Sequence, residues 1–298
     1  MTRFLDCRIS AVGGELATAV AVNQGTSLGN YGGLAMAELQ GAIQGRNVLI
    51  ATHGFNVNRA DGIACLSNWE INNLQLPAGS AFVGLLWPGD SVWAHGLDYP
   101  GEPKVADEAG ALLGPYLDQY FSGASSISFA SHSLGARVVL ATIRNMNSAV
   151  RRLILMAGAV DDDALTNEFA DAAASVGEIS VLASKKDEVL SLAFPMGNFF
   201  SGIIAVGHPW WRAALGHSGP TTPFPDNFQT PYAIPENWNY QHGDYLHVDV
   251  PAAKGLPIPT DIPPNGSPVA AEDVNPDGAY VAGWTEAFSA AVASTRFR

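Results

Sequence analysis

The run Ile127-Ser-Phe-Ala-Ser-His-Ser-Leu-Gly-Ala-Arg-Val-Val-Leu140 begins as a short apolar strand and passes, without a linker, into helical spacing. At the junction, Ser131-His132-Ser133-Leu134-Gly135 places small residues two before and two after a central serine. A serine on a sharp strand-to-helix turn needs that spacing, because larger neighbours clash there. The turn lifts the hydroxyl out of the sheet. The helix behind it offers backbone N–H groups and the positive end of its dipole. Ser133 is therefore the candidate nucleophile. Ser131 stands where such turns usually carry a glycine, and alone the pattern also fits an N-cap or tight turn. Its meaning rests on what surrounds it.

Working outward, strand-like and helical stretches alternate. Residues 3–11 and 15–23 are β-prone runs around Val12-Gly13-Gly14, whose glycines accept the positive φ of a hairpin turn, so an antiparallel opening pair is expected. A short helix over 34–44 leads to 47–52, apolar on both faces and hence a strand covered on both sides. Then come a helix over 60–76, a strand over 80–87, and a helix over 104–121 with its apolar residues on one stripe. Beyond the serine, strands over 153–159 and 179–183 flank a helix over 163–175. Such alternation implies right-handed crossovers and a doubly wound, mostly parallel sheet, an α/β fold. From 194 to 268 the chain is rich in proline, glycine and aromatics and has no clean period. Loops this long are usually functional or cover a site. Residues 278–297 close the chain as an amphipathic helix. The expectation is one domain over 1–298, with 194–268 as a cap-like insertion.

Acyl transfer by serine needs a base, a group that orients the base, and donors for the oxyanion. His53-Gly54-Phe55 follows the third strand, and Gly54 lets the backbone bend so that the Phe55 N–H faces the site. The Leu134 N–H, beside the nucleophile, is the second donor. Asp187 ends the 179–183 strand and is the favoured acid, because loops at the carboxyl ends of strands carry sites. Asp161, Asp162 and Asp163, one strand earlier, are its rivals, although Asp162 or Asp163 also suits a helix N-cap. His132 reads as a flanking support and His95 as a structural or solvated residue. Among the histidines after Asp187, His208 precedes two tryptophans and His217 lies in a turn. His247 sits in an alternating run, and His242 follows a weak candidate for the last strand at 227–232. His242 is the favoured base, with His247 the next choice. Trp87, Phe194, Phe199 and Phe200 are assigned to an apolar substrate pocket, although the phenylalanines equally suit a buried helix.

Composition narrows the partners. Of 298 residues, 47% are hydrophobic and 14% charged, against a typical charged share of about 25%. That suits a large core and excludes a disordered chain. Net charge is −13, and from Ala213 to Thr295 Lys254 is the sole basic residue. Nucleic acid and anionic membranes suit such a surface poorly. No apolar run reaches the roughly 18 residues of a membrane span. Charge interrupts the apolar start too early for a secretion signal, so the cytoplasm is the expected compartment. Cys7 and Cys65 form no metal or redox pattern and are expected as free thiols. No histidine pair has a metal-site spacing with further ligands, so neither metal nor organic cofactor is expected.

The ordered set Val48-Leu-Ile-Ala-Thr-His-Gly-Phe-Asn56, Trp87-Pro88-Gly89-Asp90, Ala130-Ser-His-Ser-Leu-Gly135, Ala157-Gly-Ala-Val-Asp161 and Ala183-Ser-Lys-Lys-Asp-Glu-Val-Leu190 resembles the α/β-hydrolase superfamily. It is most similar to a bacterial esterase-like branch with a His-Gly-aromatic-Asn loop and a Trp-Pro step. Leu215-Gly-His-Ser-Gly-Pro220 and His242-Gly-Asp-Tyr245 look like later motifs of that branch. The resemblance implies an α/β-hydrolase fold and a serine hydrolase, with Ser133 as nucleophile, Asp187 as acid and a later histidine as base. A carboxylic ester is the expected small-molecule substrate, with lipase and amidase chemistry open beside it. The rival expectation is a catalytically silent scaffold that serves as a binding protein through its aromatic, proline-rich third.

Overall fold

In a computed structural model of the chain, residues 1–12, 15–74, 76, 78–90, 102–191, 212–229, 232–234, 236 and 239–245 are described. The first strand, β1 (Thr2–Arg8), pairs antiparallel with β2 (Leu16–Gly25), whose far edge carries the two-residue β3 (Gly32–Gly33). Helix α1 (Met36–Ile43) leads to β4 (Asn47–Thr52), and α2 (Arg59–Asn68) leads to β5 (Ser80–Leu86). Helix α3 (Glu102–Tyr120), β6 (Ser126–His132), α4 (Gly135–Arg144) and β7 (Val150–Met156) follow. A short α5 (Ala170–Ala174), β8 (Val176–Leu182) and a single turn α6 (Leu215–Ser218) complete the described strands and α-helices. The strands form one sheet in the order β3-β2-β1-β5-β4-β6-β7-β8. Every pairing from β1 to β8 is parallel, and the antiparallel hairpin forms one edge. This is the doubly wound α/β sheet expected.

The sequence explains the layers. Successive strand residues point to opposite faces, yet Val48 to Thr52 and Ala81 to Leu86 are all buried. Both faces of the central strands are therefore covered. Helix α4 contacts β6 and β7, while α2 contacts β5 and β1. Helix α3 lies close against α4 because Gly110 and Gly114 carry no side chain there. A Cβ on Gly110 would lie 2.4 Å from Ala141 Cβ, and one on Gly114 2.6 Å from the Asn145 carbonyl carbon.

Three elements differ from the sequence reading. The helix expected to 76 ends as α2 at Asn68 and continues as one wide turn over Trp69–Asn73, where Trp69 is buried against Phe82. The helix expected from 163 shrinks to α5, because Asp161 bridges Ala214 while Asp162 and Asp163 bind Arg212. Those ties hold the start of the segment in turns. The weak candidate at 227–232 does meet the sheet: Phe228 bridges Ile179 of β8, and Ala233, just past the candidate, bridges Ala183, both parallel. Of the cap-like range 194–268, only 212–229, 232–234, 236 and 239–245 are described; the 278–297 helix lies outside the described residues.

Among the described residues no helix is long and apolar enough to cross a membrane. Cys7 and Cys65 are free thiols. Burial raises both above the usual thiol range, Cys65 to about 12, which keeps them protonated and inert.

Candidate active site

The carboxyl ends of β4, β5, β6 and β8 converge on Ser133. The serine follows β6 with φ at 54°, in the left-handed region that a non-glycine residue enters only when its surroundings hold it there. Its own main chain supplies the hold: its N–H donates to the Met156 carbonyl at 3.0 Å. Its carbonyl accepts from Ala136 at 3.1 Å and Ala159 at 3.0 Å. The two neighbouring glycines are required by space. A Cβ on Gly54 would lie 2.6 Å from Ser133 Cβ, and one on Gly135 would lie 2.4 Å from the His53 carbonyl oxygen. Position 131 has no such demand, and Ser131 fits there fully buried.

His242 begins a short 3₁₀ turn, His242–Asp244, closed by a bond from the Gln241 N–H to Asp244 Oδ2 at 2.7 Å. Its Nε2 lies 2.8 Å from Ser133 Oγ and its Nδ1 lies 2.8 Å from Asp187 Oδ2. An ionised carboxylate only accepts, so Nδ1 carries the proton and Nε2 is left to accept from the serine hydroxyl. Asp187 is fully buried, and its other oxygen accepts the Leu190 N–H at 2.9 Å. The strand β8 thus delivers the acid, β6 the serine, and the segment after the edge pairing the histidine. These three residues are brought together in a line.

Two side chains hold the histidine segment, and only one of them, Ser184, is missed by sequence reasoning. His132 Nε2 donates to the His242 carbonyl at 2.6 Å, with the rings 4.8 Å apart, which gives the flanking support a definite partner. Ser184 Oγ donates to the Tyr240 carbonyl at 2.7 Å and so ties the acid's loop to the histidine's. Nothing marks Ser184 in the sequence beyond its place just before Lys185-Lys186-Asp187. Tyr245, its ring tilted against that of His132 at 5.9 Å, is buried, and burial followed by the Asp187 charge pushes its phenol well above its usual range.

The remaining candidates fall in distinct places. Phe55 is partly buried next to Gly54, and Leu134 is buried at the N-terminus of α4, where the first N–H groups have no intrahelical partner. Trp87 is wholly buried beneath the His53 loop: its Nε1 donates to the His53 carbonyl at 3.0 Å and its ring stacks on His53. That is a supporting position under the loop rather than a pocket wall. Asp162 and Asp163 are engaged by Arg212 at 3.0 and 2.8 Å. His217 is paired with Ser218 Oγ at 3.1 Å. Phe194, Phe199, Phe200, His95, His208 and His247 lie outside the described residues. Among the described residues no cluster of three or more histidine, cysteine or acidic side chains could hold a metal ion.

A mostly parallel sheet with a serine on a left-handed turn after β6, an aspartate after β8 and a histidine beyond it has the layout of the α/β-hydrolase class. Residues 36–219 match the family model "Alpha/beta hydrolase of unknown function (DUF900)", and the chain belongs to that family. Ser133 and Asp187 lie inside the matched stretch and His242 beyond it. No curated protein matches the chain. Among solved structures it is similar to one described as "Crystal structure of esterase PE8", with 14% identity and a TM-score of 0.35 over 52% of this chain and 76% of that one.

Proposed function

We propose that this protein is a serine hydrolase that cleaves a carboxylic ester through an acyl-enzyme intermediate. The observation that carries the reading is the unbroken line from Ser133 Oγ through His242 to the buried Asp187, with both links at 2.8 Å. In the forward step Nε2 of His242 takes the Ser133 proton as Oγ attacks the ester carbonyl. Asp187 stabilises the imidazolium that results, and the Phe55 and Leu134 N–H groups receive the developing oxyanion. The imidazolium returns its proton to the leaving alkoxide, which departs as the alcohol. Water, deprotonated by the same histidine, then attacks the acyl-serine and releases the carboxylic acid. The buried acid and the strained serine both argue against a silent scaffold, since neither helps the fold by itself. Ester is favoured over amide as the starting assay because an alkoxide leaves more readily than an amine.

The test is labelling by a fluorophosphonate together with hydrolysis of an activated ester. Wild-type protein should be labelled at Ser133 and turn over. Ser133→Ala should do neither, and His242→Ala should be labelled far more slowly. A folded Ser133→Ala protein that keeps more than a trace of esterase activity overturns the assignment.

A further inference from the structure

At the carboxyl edge of the sheet, the ends of β1, β5 and β4 lie side by side, and one buried guanidinium spans them. Arg8 closes β1 with its side chain wholly out of solvent. Its Nη1 donates to the Trp87 carbonyl at 3.0 Å and to the Val57 carbonyl at 3.1 Å. Nη2 reaches the Ala11 carbonyl at 3.5 Å, and Nε the Ser10 carbonyl at 3.4 Å. The other arm of Nη2 pairs with the buried carboxylate of Asp90. Burying such a pair is no route to stability, because well-packed apolar residues of similar volume serve a fold as well or better. The pair instead joins two loops.

Those loops meet at the candidate oxyanion donor. The His53 carbonyl accepts from Trp87 Nε1 at 3.0 Å, and the Asn56 N–H donates to the Gly89 carbonyl at 2.6 Å. Asn56 itself is in the left-handed region, φ 59°, a conformation that relaxes if its restraints go. Phe55 lies between these two anchor points, and Gly54 touches Ser133. The Arg8–Asp90 pair holds the far side, gripping Val57 on one loop and Trp87 and Asp90 on the other.

We propose that Arg8 and Asp90 are positioning residues for the oxyanion hole: by locking loop 87–90 to loop 53–58 they keep the Phe55 N–H aimed at the oxygen that becomes negative. The inference rests on the serine-hydrolase reading above. Neither residue touches substrate; each acts through the loop. A donor displaced by about 1 Å costs about a hundredfold in rate, and losing one altogether costs about 10²- to 10³-fold.

The deciding variant is the apolar replacement Arg8→Met with Asp90→Leu, made in the full chain beside Ser133→Ala. Arg8→Met also frees the Val57 and Trp87 carbonyls, so the melting temperature should fall under either role. A purely structural pair then predicts an unchanged kcat in the folded protein, whereas a positioning pair predicts a kcat lowered about 10- to 100-fold there. KM should then be little changed and the pH–rate profile keep its shape, because His242 and Asp187 are untouched. A folded double variant with wild-type kcat, or one whose loss lies wholly in KM, overturns the proposal. Should it fail to fold, Asp90→Asn, which keeps the shape but removes the charge, is judged by the same split. If Ser133→Ala remains active, the serine-hydrolase reading falls and the positioning role falls with it; if only the clamp variants stay active, the reading stands and the clamp alone is rejected.

Discussion

Asp187 owes its place to what surrounds it rather than to any local pattern. It is wholly buried, it caps the turn after β8 through Leu190, and it meets His242 Nδ1. Asp187→Asn should therefore lower kcat by up to about 10⁴-fold, since the amide can hold the imidazole in the wrong tautomer. Asp162→Asn loosens Arg212 and should cost about 1 kcal/mol of stability with kcat nearly unchanged. Kinetics and a thermal melt on both variants check this, and the reverse ranking moves the acid one strand earlier. His53 invites a different test. Burial lowers its imidazole from 6.5 to about 4, helped by the Arg8 charge and opposed by the bond to the Gly54 carbonyl. The unfolded chain therefore takes up a proton near pH 6.5 that the folded protein refuses until about pH 4. The stabilising contribution of neutral His53 is intact above pH ~6.5 and disappears as the pH falls to ~4, by about 3 kcal/mol. Urea midpoints measured across that range should fall less steeply for His53→Gln than for wild type.

At the scale of elements, α3 packs tightly against α4, and α4 is the helix that starts beside Ser133. Intrinsic propensity says that Gly110→Ala should stabilise α3 by about 1 kcal/mol. Space says the opposite: the added methyl would sit 2.4 Å from Ala141 Cβ and 2.7 Å from the backbone of α4. Backbone cannot move aside as a flexible side chain does, so overpacking should win, for a net loss of about 1–3 kcal/mol. Denaturant unfolding of the variant decides it; a gain in stability would mean that the two helices can part without cost. The edge segment that bridges Ile179 of β8 at Phe228 and Ala183 at Ala233 works in the same spirit. It supplies few sheet bonds, but it brings the chain back to the carboxyl edge so that Ser184 can hold Tyr240 and His242 can reach Ser133.

For the molecule as a whole, the charge balance matters more than any single ion pair. A net charge of −13 sets acidic groups against one another over the surface. Raising ionic strength from about 10 mM to about 300 mM shortens the Debye length from ~30 Å to roughly 6 Å and should relieve that repulsion. The melting temperature should therefore rise with sodium chloride. The buried Arg8–Asp90 pair, screened little by salt, should not offset the gain. A melting temperature that falls with salt would show that surface pairs such as Lys186–Glu236 outweigh the general repulsion.

Several features needed no tertiary information. The serine at the strand–helix junction, the glycines at 54 and 135 and the parallel sheet follow from local rules: periodicity sets strands and helices, and a crowded turn admits only small residues. Other features depended on which distant residues meet. That 163–169 form turns where a helix from 163 is expected follows in part from Arg212, some fifty positions away, which holds Asp162 and Asp163. Trp87 lies under a loop instead of lining a pocket because β4 and β5 are neighbours in the sheet, though not in the chain. Arg8 reads as a polar residue ending a strand until β1 settles beside β5. The reason is physical: propensity and patterning act over a few residues, whereas ion pairs, edge pairing and close packing are decided only when the folded chain chooses its neighbours.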